Sequence, residues 1–384
     1  MKLTRLTIAL LAAAAASVVL ASALPETILA GDALAYRERM VALFAGQVPY
    51  FDFPFEHLPV MIIPLAAAWL LGGFSGLPGY ALSLAAVSTT CLIGTGAILT
   101  YIEDRLANPG LVVRWLLTTV PLLPFLLFRN DSFVILLTVA GIALALIGKD
   151  GWSMLSLMGG ILAKAWSAVW AVGEWWRKRR WAALVLLVAF VGAVAITLSP
   201  PVQSIQSPQG LHTETFAGSV LGLVRSLRGL DLQTTTTASA YLAAPNWAPG
   251  VNLLVGGLVA AWCLPRMRSP FTWPGAWILT GSLLGAGLLA APYFSTQYVA
   301  WLLPFTAWHR RTSLAMLAVS ASSLVLISTW HRLFEGTVWW WSLLVGRNLL
   351  LLVAILGLSR LAVRPQPEGS RADEVKSLLG DPEE

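Results

Sequence analysis

Long apolar runs separated by short polar segments make up most of this chain of 384 residues. The first run extends from about Leu6 to Leu24, which is long enough to cross a bilayer as one helix. The later runs centre on 81–102, 112–128, 132–148, 152–165, 166–176, 181–199, 251–264, 272–291, 297–308, 312–328 and 337–359. This pattern predicts an all-α polytopic membrane protein with about 12 membrane helices, some of them short or re-entrant.

Two parts of the pattern depart from ordinary spans. Val60 to Leu71 is apolar over only about a dozen residues, which predicts an interfacial or re-entrant helix. The pair of runs within 152–176 is too short for two spans and too long for one. We therefore expect two half-depth helices that meet near Lys164.

Composition excludes several classes of protein. Hydrophobic residues make up 57% of the chain and charged residues 11%, against about a quarter charged in soluble domains, so a water-soluble enzyme and a disordered chain are both excluded. Despite a net charge of +6, no basic stripe interleaved with aromatic residues is present, so we expect membrane lipids as partners and no nucleic acid. The sequence contains no Cys/His spacing typical of zinc, and we expect no metal and no cofactor.

The positions of Lys and Arg predict an orientation. With the N-terminus inside, 17 of the 25 basic residues fall on the cytoplasmic side and 8 on the outer side or in buried positions. Both termini are then cytoplasmic in a multi-pass protein of the cell membrane. Ala21-Ser22-Ala23 resembles a signal-peptidase site, so a cleaved signal peptide is the alternative for the first run.

This topology predicts a single membrane domain over residues 1–362, followed by a disordered cytoplasmic tail over 363–384. Two outer loops are long, at 25–59 and 200–250, and within the first loop Ala33 to Ala45 has the pattern of a helix lying on the membrane surface. Tryptophan clusters at 175–181 and 339–341 are typical of aromatic belts at the membrane boundary.

Charged and polar groups beside apolar runs are costly and therefore indicate function. On or near the outer side the candidates are Asp32, Tyr50, Asp52, Glu56, Arg129, Asp131, Lys164, His212, Glu214, Gln297, Tyr298 and Arg347. Acidic and basic groups that face one outer cavity suit a sugar acceptor together with a phosphate leaving group.

Five segments carry a resemblance to a known family. They read GDALAYRERMVALFAGQVPYFDFPFEHLPV, RNDSFVILL, GGILAKAWSAVW, HTETFAGSVL and STQYVAWLLP, in this order between residues 31 and 304. The first resembles the first outer loop of GT-C glycosyltransferases, in which an Asp just after helix one precedes a Tyr, here Tyr36. The set is most similar to glycosyltransferase family 87, the polyprenol-phosphate-mannose-dependent mannosyltransferases. Departures from the family pattern are His57-Leu58-Pro59, Arg129 and Thr296.

The resemblance implies an inverting transfer of a sugar, mannose, from a polyprenyl-phosphate donor to a glycolipid or lipid-linked glycan acceptor on the outer face. Asp32 is then the general base that accepts the proton of the acceptor hydroxyl. Lys164 is the sharpest candidate for stabilising the leaving phosphate, and the loop cations Arg129 and Arg225 are further candidates that could instead meet lipid headgroups. Donor phosphate or sugar contacts are also expected from His212, Glu214, Gln297, Tyr298 and Arg347. The cavity or acceptor contacts are expected from Tyr36, Tyr50, Asp52, Glu56 and Asp131.

Each candidate also has an ordinary structural interpretation. Asp32 would cap a helix that begins at Ala33, and Asp131 a helix that begins at Ser132. The remaining interpretations are a snorkelling Lys164, a solvated or capping His212, solvated loop acids at Asp52 and Glu56, and interfacial anchors at Gln297 and Tyr298. Arg347 interrupts the last span and needs a partner, either a buried acid or the donor phosphate.

Two other classes of function fit the same pattern. A multi-pass transporter or lipid flippase also has many spans and broken helices. A non-catalytic membrane scaffold would leave both Asp32 and Lys164 dispensable. The sequence contains no glycine-rich phosphate loop, which favours a lipid-linked donor over a nucleotide-linked one.

Overall fold

The computed structural model describes residues 15, 26–53, 55, 57–176, 179–197, 211–230, 234–236, 240–242, 244–263, 273–291 and 293–361. The predicted first span, apart from residue 15, and the predicted tail at 363–384 lie outside the described residues. The described part is mainly helical, in agreement with the all-α prediction.

The α-helices, in chain order, are α1 (Glu26–Phe44), α2 (Ile62–Gly72), α3 (Gly76–Arg105), α4 (Leu111–Thr119), α5 (Leu123–Phe128), α6 (Asp131–Leu146), α7 (Asp150–Ala163), α8 (Trp170–Trp176), α9 (Arg180–Thr197), α10 (Phe216–Leu227), α11 (Ala248–Cys263), α12 (Trp273–Ala290), α13 (Leu303–Thr306), α14 (Arg310–Ser328), α15 (His331–Phe334) and α16 (Val338–Leu361). Short 3₁₀ helices link several of them, at Pro59–Met61, Gly73–Ser75, Val120–Leu122, Ala165–Val169 and Thr296–Leu302.

Several helical stretches are long and apolar enough to span a membrane. Within the described ranges there are five, namely Pro59–Arg105, Leu111–Phe128, Trp273–Ala290, Arg310–Ser328 and Val338–Leu361. Four shorter apolar helices accompany them, at Asp131–Leu146, Arg180–Ile196, Phe216–Leu227 and Ala248–Cys263. The chain is therefore a helical membrane protein, while the number of 12 crossings stays a prediction.

Within the described residues the helices pack through one large apolar cluster and three smaller ones, and small residues allow close approach. The main contacts run between α14 and α16, α6 and α7, α11 and α12, and α2 and α3. At Gly256 in α11, an added Cβ would lie 2.5 Å from the Ala286 carbonyl oxygen of α12. Only a residue without a side chain lets these two helices come this close.

The short run at Val60 to Leu71 forms α2, which folds back along α3. The reversal is at Gly76, whose φ of 84° is a left-handed conformation that glycine adopts without strain. The Tyr80 side chain and Leu65 lie in the same buried cluster between the two helices. The depth of this helical hairpin in the membrane stays a prediction.

The predicted break near Lys164 is confirmed. Helix α7 ends at Ala163, Lys164 is extended with φ −151° and ψ 123°, and the chain continues as the 3₁₀ helix Ala165–Val169 and then α8. An extended residue between two helices projects its side chain away from both helix surfaces, which frees the Lys164 ammonium for a tertiary contact.

The second long loop contains a small antiparallel sheet, which the all-α prediction did not include. Its strands are β1 (Leu211–His212), β2 (Thr234–Thr236) and β3 (Ala240–Leu242), in the order β1-β3-β2. Leu211 pairs with Leu242, and both side chains are buried. The sheet therefore anchors the start of the loop that leads into α10.

The helix predicted at Ala33 to Ala45 is present and longer at its start, since α1 begins at Glu26, seven residues earlier; its position on the membrane surface stays a prediction. The expectation about the second tryptophan cluster is wrong. Trp340 and Trp341 are fully buried against α14 and α10, so the cluster at 339–341 is mostly core packing rather than an aromatic belt.

Candidate functional site

The segment from Ser295 to Leu302 lies at the centre of the polar residues. Ser295 is extended, and Thr296–Leu302 forms a 3₁₀ helix that ends where Pro304 opens α13. A 3₁₀ helix has three residues per turn, so three consecutive side chains point in three directions and side chains three apart are aligned. Tyr298 and Trp301 show this alignment, with ring centroids 4.3 Å apart. Thr296, Gln297 and the Tyr298–Trp301 pair each contact a different ion pair.

The first ion pair joins Asp32 of α1 to Arg129. Arg129 Nε lies 2.6 Å from Asp32 Oδ2, and Arg129 Nη1 donates a hydrogen bond to Gln297 Oε1. The Asp32 side chain is 37% exposed and the Arg129 side chain 18%. Since α1 starts at Glu26, Asp32 is inside the helix, and the interpretation of Asp32 as an N-cap is wrong.

Arg129 is extended between α5 and α6, which turns its side chain toward α1. Burial alone would lower the pKa of the Arg129 guanidinium, but the negative groups around it, Asp32 first and Asp131 also, raise the pKa above its ordinary value. The guanidinium therefore stays charged beside the partly exposed carboxylate.

The second ion pair joins Asp131 to Lys164. Lys164 Nζ and Trp301 Nε1 both donate to Asp131 Oδ1, each at 2.6 Å. The Lys164 ammonium also lies over the rings of Tyr298 and Trp301, 5.5 Å and 5.3 Å from their centroids. Asp131 is the first residue of α6 and makes no capping hydrogen bond, so its interpretation as an N-cap is wrong as well.

The third ion pair joins Glu214 to Arg347 of α16 and is fully buried. Arg347 Nη1 lies 2.8 Å from Glu214 Oε2 and 2.8 Å from Thr296 Oγ1, and Thr296 Oγ1 donates to the same carboxylate oxygen. Asn348 Nδ2 donates to the backbone oxygens of Glu214 and Thr215. Of the two partners that the sequence left open for Arg347, the structure selects the buried acid.

His212 is buried next to this third pair, so its interpretation as a solvated residue is wrong. Its Nδ1 accepts from the Glu214 backbone N–H at 3.3 Å, and its ring lies 4.5 Å from the ring of Tyr293. The cap of α10 is Thr215, whose side chain accepts from Gly218 N–H. Desolvation lowers the pKa of His212 to about 4, while the Glu214 charge opposes this shift and Arg347 adds to it.

The charge of Glu214 is maintained by its partner. Burial would raise the pKa of the Glu214 carboxyl, but the Arg347 guanidinium, the His212 ring and the hydrogen bonds from Arg347 and Thr296 lower it below its ordinary value. The Glu214 carboxylate is therefore ionised, and its partners named here lie inside the protein. The third pair connects the turn just before α10 to α16. His212, Glu214 and Arg347 are each at most 5% exposed, and Glu214 and Arg347 line a small cavity of about 170 Å³, so their contact with a donor stays a prediction.

The remaining candidates of the first loop are Tyr36, Tyr50, Asp52 and Glu56. Tyr36 is buried next to His57, with ring centroids 5.2 Å apart, and it interacts electrostatically with Arg129. Tyr50 OH donates to the His57 backbone oxygen and so fixes the loop rather than the cluster. Asp52 Oδ2 accepts from Val48 N–H at 2.7 Å in an exposed turn. Glu56 lies outside the described residues.

Sequence reasoning missed the direct roles of Trp301 and Thr296. Thr296 was noted as a departure from a family pattern, and Trp301 only as part of that pattern. The available signal was spacing, since Tyr298 and Trp301 are three residues apart, as they must be to share a 3₁₀ face.

The three pairs form a polar layer, and within the described ranges the Asp32–Arg129 and Asp131–Lys164 pairs are its partly exposed members. The described residues contain no group of three or more His, Cys, Asp and Glu residues that could hold a metal ion. The arrangement offers a carboxylate for proton transfer at Asp32 and two cations, Arg129 and Lys164, for an anionic ligand. A scan of protein-family models, a search of curated proteins and a search of solved structures gave no match to this chain.

Proposed function

We propose that this protein is an integral-membrane inverting glycosyltransferase that moves a sugar, mannose, from a polyprenyl-phosphate carrier to a hydroxyl of a glycolipid or lipid-linked glycan on the outer face. The observation that carries the proposal is the convergence of Asp32, Arg129, Asp131, Lys164 and Gln297. These residues come from four separate segments of the chain and are linked by ion pairs and hydrogen bonds.

The chemistry needs a base and a means of stabilising the leaving group. The acceptor hydroxyl attacks C1 of the sugar, and its proton passes to the Asp32 carboxylate. The bond between C1 and the phosphate oxygen breaks, and the polyprenyl phosphate leaves with the bonding electrons. Attack opposite the leaving oxygen inverts the configuration at C1.

Arg129 and Lys164 support this assignment because each side chain is partly exposed, at 18% and 19%, and each lies 2.6 Å from a carboxylate. Fixed cations stabilise the charge that develops on a departing phosphate. The Lys164 ammonium has three donors, so it can contact a phosphate while it keeps its hydrogen bond to Asp131 Oδ1. Trp301 donates to the same carboxylate oxygen.

The test is transfer from labelled polyprenyl-phosphate-mannose to lipid acceptors by the full chain in vesicles. We expect Asp32→Asn to reduce turnover by about 10²–10⁴-fold, the usual contribution of a general base. Glu38→Gln is the matched control, because Glu38 is an exposed acid of the same helix α1. Turnover by Asp32→Asn that equals the wild type, in protein that folds normally, would remove the assigned base.

One observation favours a second candidate, a multi-pass transporter or lipid flippase. The 3₁₀ segments Ala165–Val169 and Thr296–Leu302 interrupt two helical regions and meet where Trp166 stacks on Trp301. Paired broken helices are typical of transporter binding sites. Vectorial accumulation of a lipid-linked sugar without a new glycosidic bond would select this candidate.

A further inference from the structure

Three consecutive residues at the start of α6 carry buried polar atoms that have no hydrogen-bond partner within the described part of the chain. They are Asn130 Nδ2 and Oδ1, Asp131 Oδ2 and Ser132 Oγ, and each of the three side chains is at most 2% exposed. Buried polar groups nearly always have a partner, and the exceptions require an explanation. The concentration of four such atoms in three residues points to a ligand.

The surroundings of these atoms indicate the class of that ligand. Arg129 precedes Asn130 in the chain, and Lys164 Nζ contacts the other oxygen of the Asp131 carboxylate. The Arg129 and Lys164 side chains are 18% and 19% exposed, whereas the residues with the unpartnered atoms are at most 2% exposed. A ligand that reaches them also meets two partly exposed cations, each paired with one carboxylate, and an anionic group next to its polar part would have both cations as further partners.

The atoms themselves select hydroxyl groups. The Asn130 amide has donors and an acceptor, the Asp131 carboxylate oxygen accepts, and the Ser132 hydroxyl does both. Neighbouring hydroxyls of a sugar ring each donate and accept, and so they match this set. An apolar lipid chain or a bare phosphate does not match it.

We propose that Asn130, Asp131 and Ser132 form the subsite that binds the hydroxyls of the sugar on the donor lipid, with Arg129 and Lys164 on its phosphate. This inference rests on the proposed function and deepens it, because it assigns the sugar end of the donor to the start of α6. The Asp131 carboxylate then has two roles, one oxygen holding Lys164 and Trp301 and the other binding a sugar hydroxyl.

The experiment measures binding of polyprenyl-phosphate-mannose and of bare polyprenyl phosphate to the full chain in detergent, without an acceptor. The variants are Asn130→Ala and Ser132→Ala. The matched control is Ser323→Ala, because Ser323 Oγ is also buried without a partner but lies on α14. Thermal unfolding of each unliganded variant is measured in parallel.

We expect the wild type to bind the mannose-bearing lipid more tightly than the bare phosphate. Asn130→Ala and Ser132→Ala should reduce this preference by about tenfold each, the loss of one good hydrogen bond to a ligand, while binding of bare polyprenyl phosphate stays unchanged. Ser323→Ala should retain the full preference. Unliganded Asn130→Ala and Ser132→Ala should unfold at the wild-type temperature or above it.

Other outcomes overturn the inference in distinguishable ways. The subsite is rejected, and the proposed function is not, if both variants keep the wild-type preference for the mannose-bearing lipid. It is also rejected if the unliganded variants unfold at a lower temperature, because the Asn130 and Ser132 side chains then have structural partners or ordered water as partners. Equal wild-type binding of both lipids also rejects the subsite alone. If the wild type binds neither lipid, the proposed function fails and the subsite with it.

Discussion

Trp166 and Trp301 stack with ring centroids 5.2 Å apart and planes inclined by 14°. Each belongs to a 3₁₀ segment that interrupts a helical region. Lys164 directly precedes the first segment, and Trp301 of the second segment donates to Asp131. The stacked rings therefore join the two interruptions next to the Asp131–Lys164 pair. The following expectations depend on this arrangement.

The Asp131–Lys164 pair should be important for stability as well as for binding. Lys164→Ala leaves the buried Asp131 carboxylate without its cation, and removal of one partner of a buried pair costs about 3–5 kcal/mol. We expect the lower end of this range, since Lys164 is partly exposed. Arg332→Ala is the control, because the exposed Arg332–Glu335 pair should contribute less than about 1 kcal/mol. Equal effects in chemical unfolding would contradict the assignment.

The Glu214–Arg347 pair should show strong coupling in a double-mutant cycle. Glu214→Gln and Arg347→Met should each destabilise the protein by about 3–5 kcal/mol, because each leaves a buried charge unpaired. The double variant has no buried charge at this position and should lose much less than the sum of the single effects. Additive losses in thermal or denaturant unfolding would show that the two side chains act independently.

His212 should make stability depend on pH. Its pKa is about 4 in the folded protein against 6.5 for the free side chain, so the unfolded chain takes up a proton first as the pH falls. The stabilisation is complete above about pH 6.5 and is lost between pH 6.5 and 4, by about 3 kcal/mol in total.

The measurement is the unfolding free energy of the wild type and of His212→Asn at pH 7 and pH 4.5. The asparagine amide oxygen can accept from Glu214 N–H but does not titrate, so the variant should lose less stability on acidification. An identical pH dependence in both proteins would assign the effect to other groups.

Two neighbouring glycines of α11 should respond in opposite ways to alanine. A Cβ at Gly256 meets Ala286 O at 2.5 Å and the Ala290 backbone nitrogen at 2.6 Å, so Gly256→Ala should cost about 1–3 kcal/mol by overpacking. At Gly257 a Cβ has nothing within 4 Å, and Gly257→Ala should be neutral or stabilise the helix by up to about 1 kcal/mol. Unfolding temperatures of the two variants give the comparison directly.

The sequence predicted the helical architecture and the break at Lys164, since run length alone distinguishes full spans from half spans. It also identified most residues of the polar layer, because charged groups next to apolar runs are conspicuous. It did not assign Glu214 to Arg347, which are 133 positions apart, because charge complementarity alone leaves many partners open. The capping interpretations of Asp32 and Asp131 were wrong because each depends on a helix boundary, the feature that sequence patterns locate least well.

The 3₁₀ helix Thr296–Leu302, with three residues per turn, restricts which changes of sequence this segment tolerates. Insertion or deletion of one residue there rotates every following side chain by about a third of a turn. Thr296, Gln297 and Trp301 would then no longer point toward the ion pairs that they contact. All three ion pairs would lose a hydrogen-bond partner at the same time. We therefore expect the length of this loop to be far less tolerant of change than its exact composition.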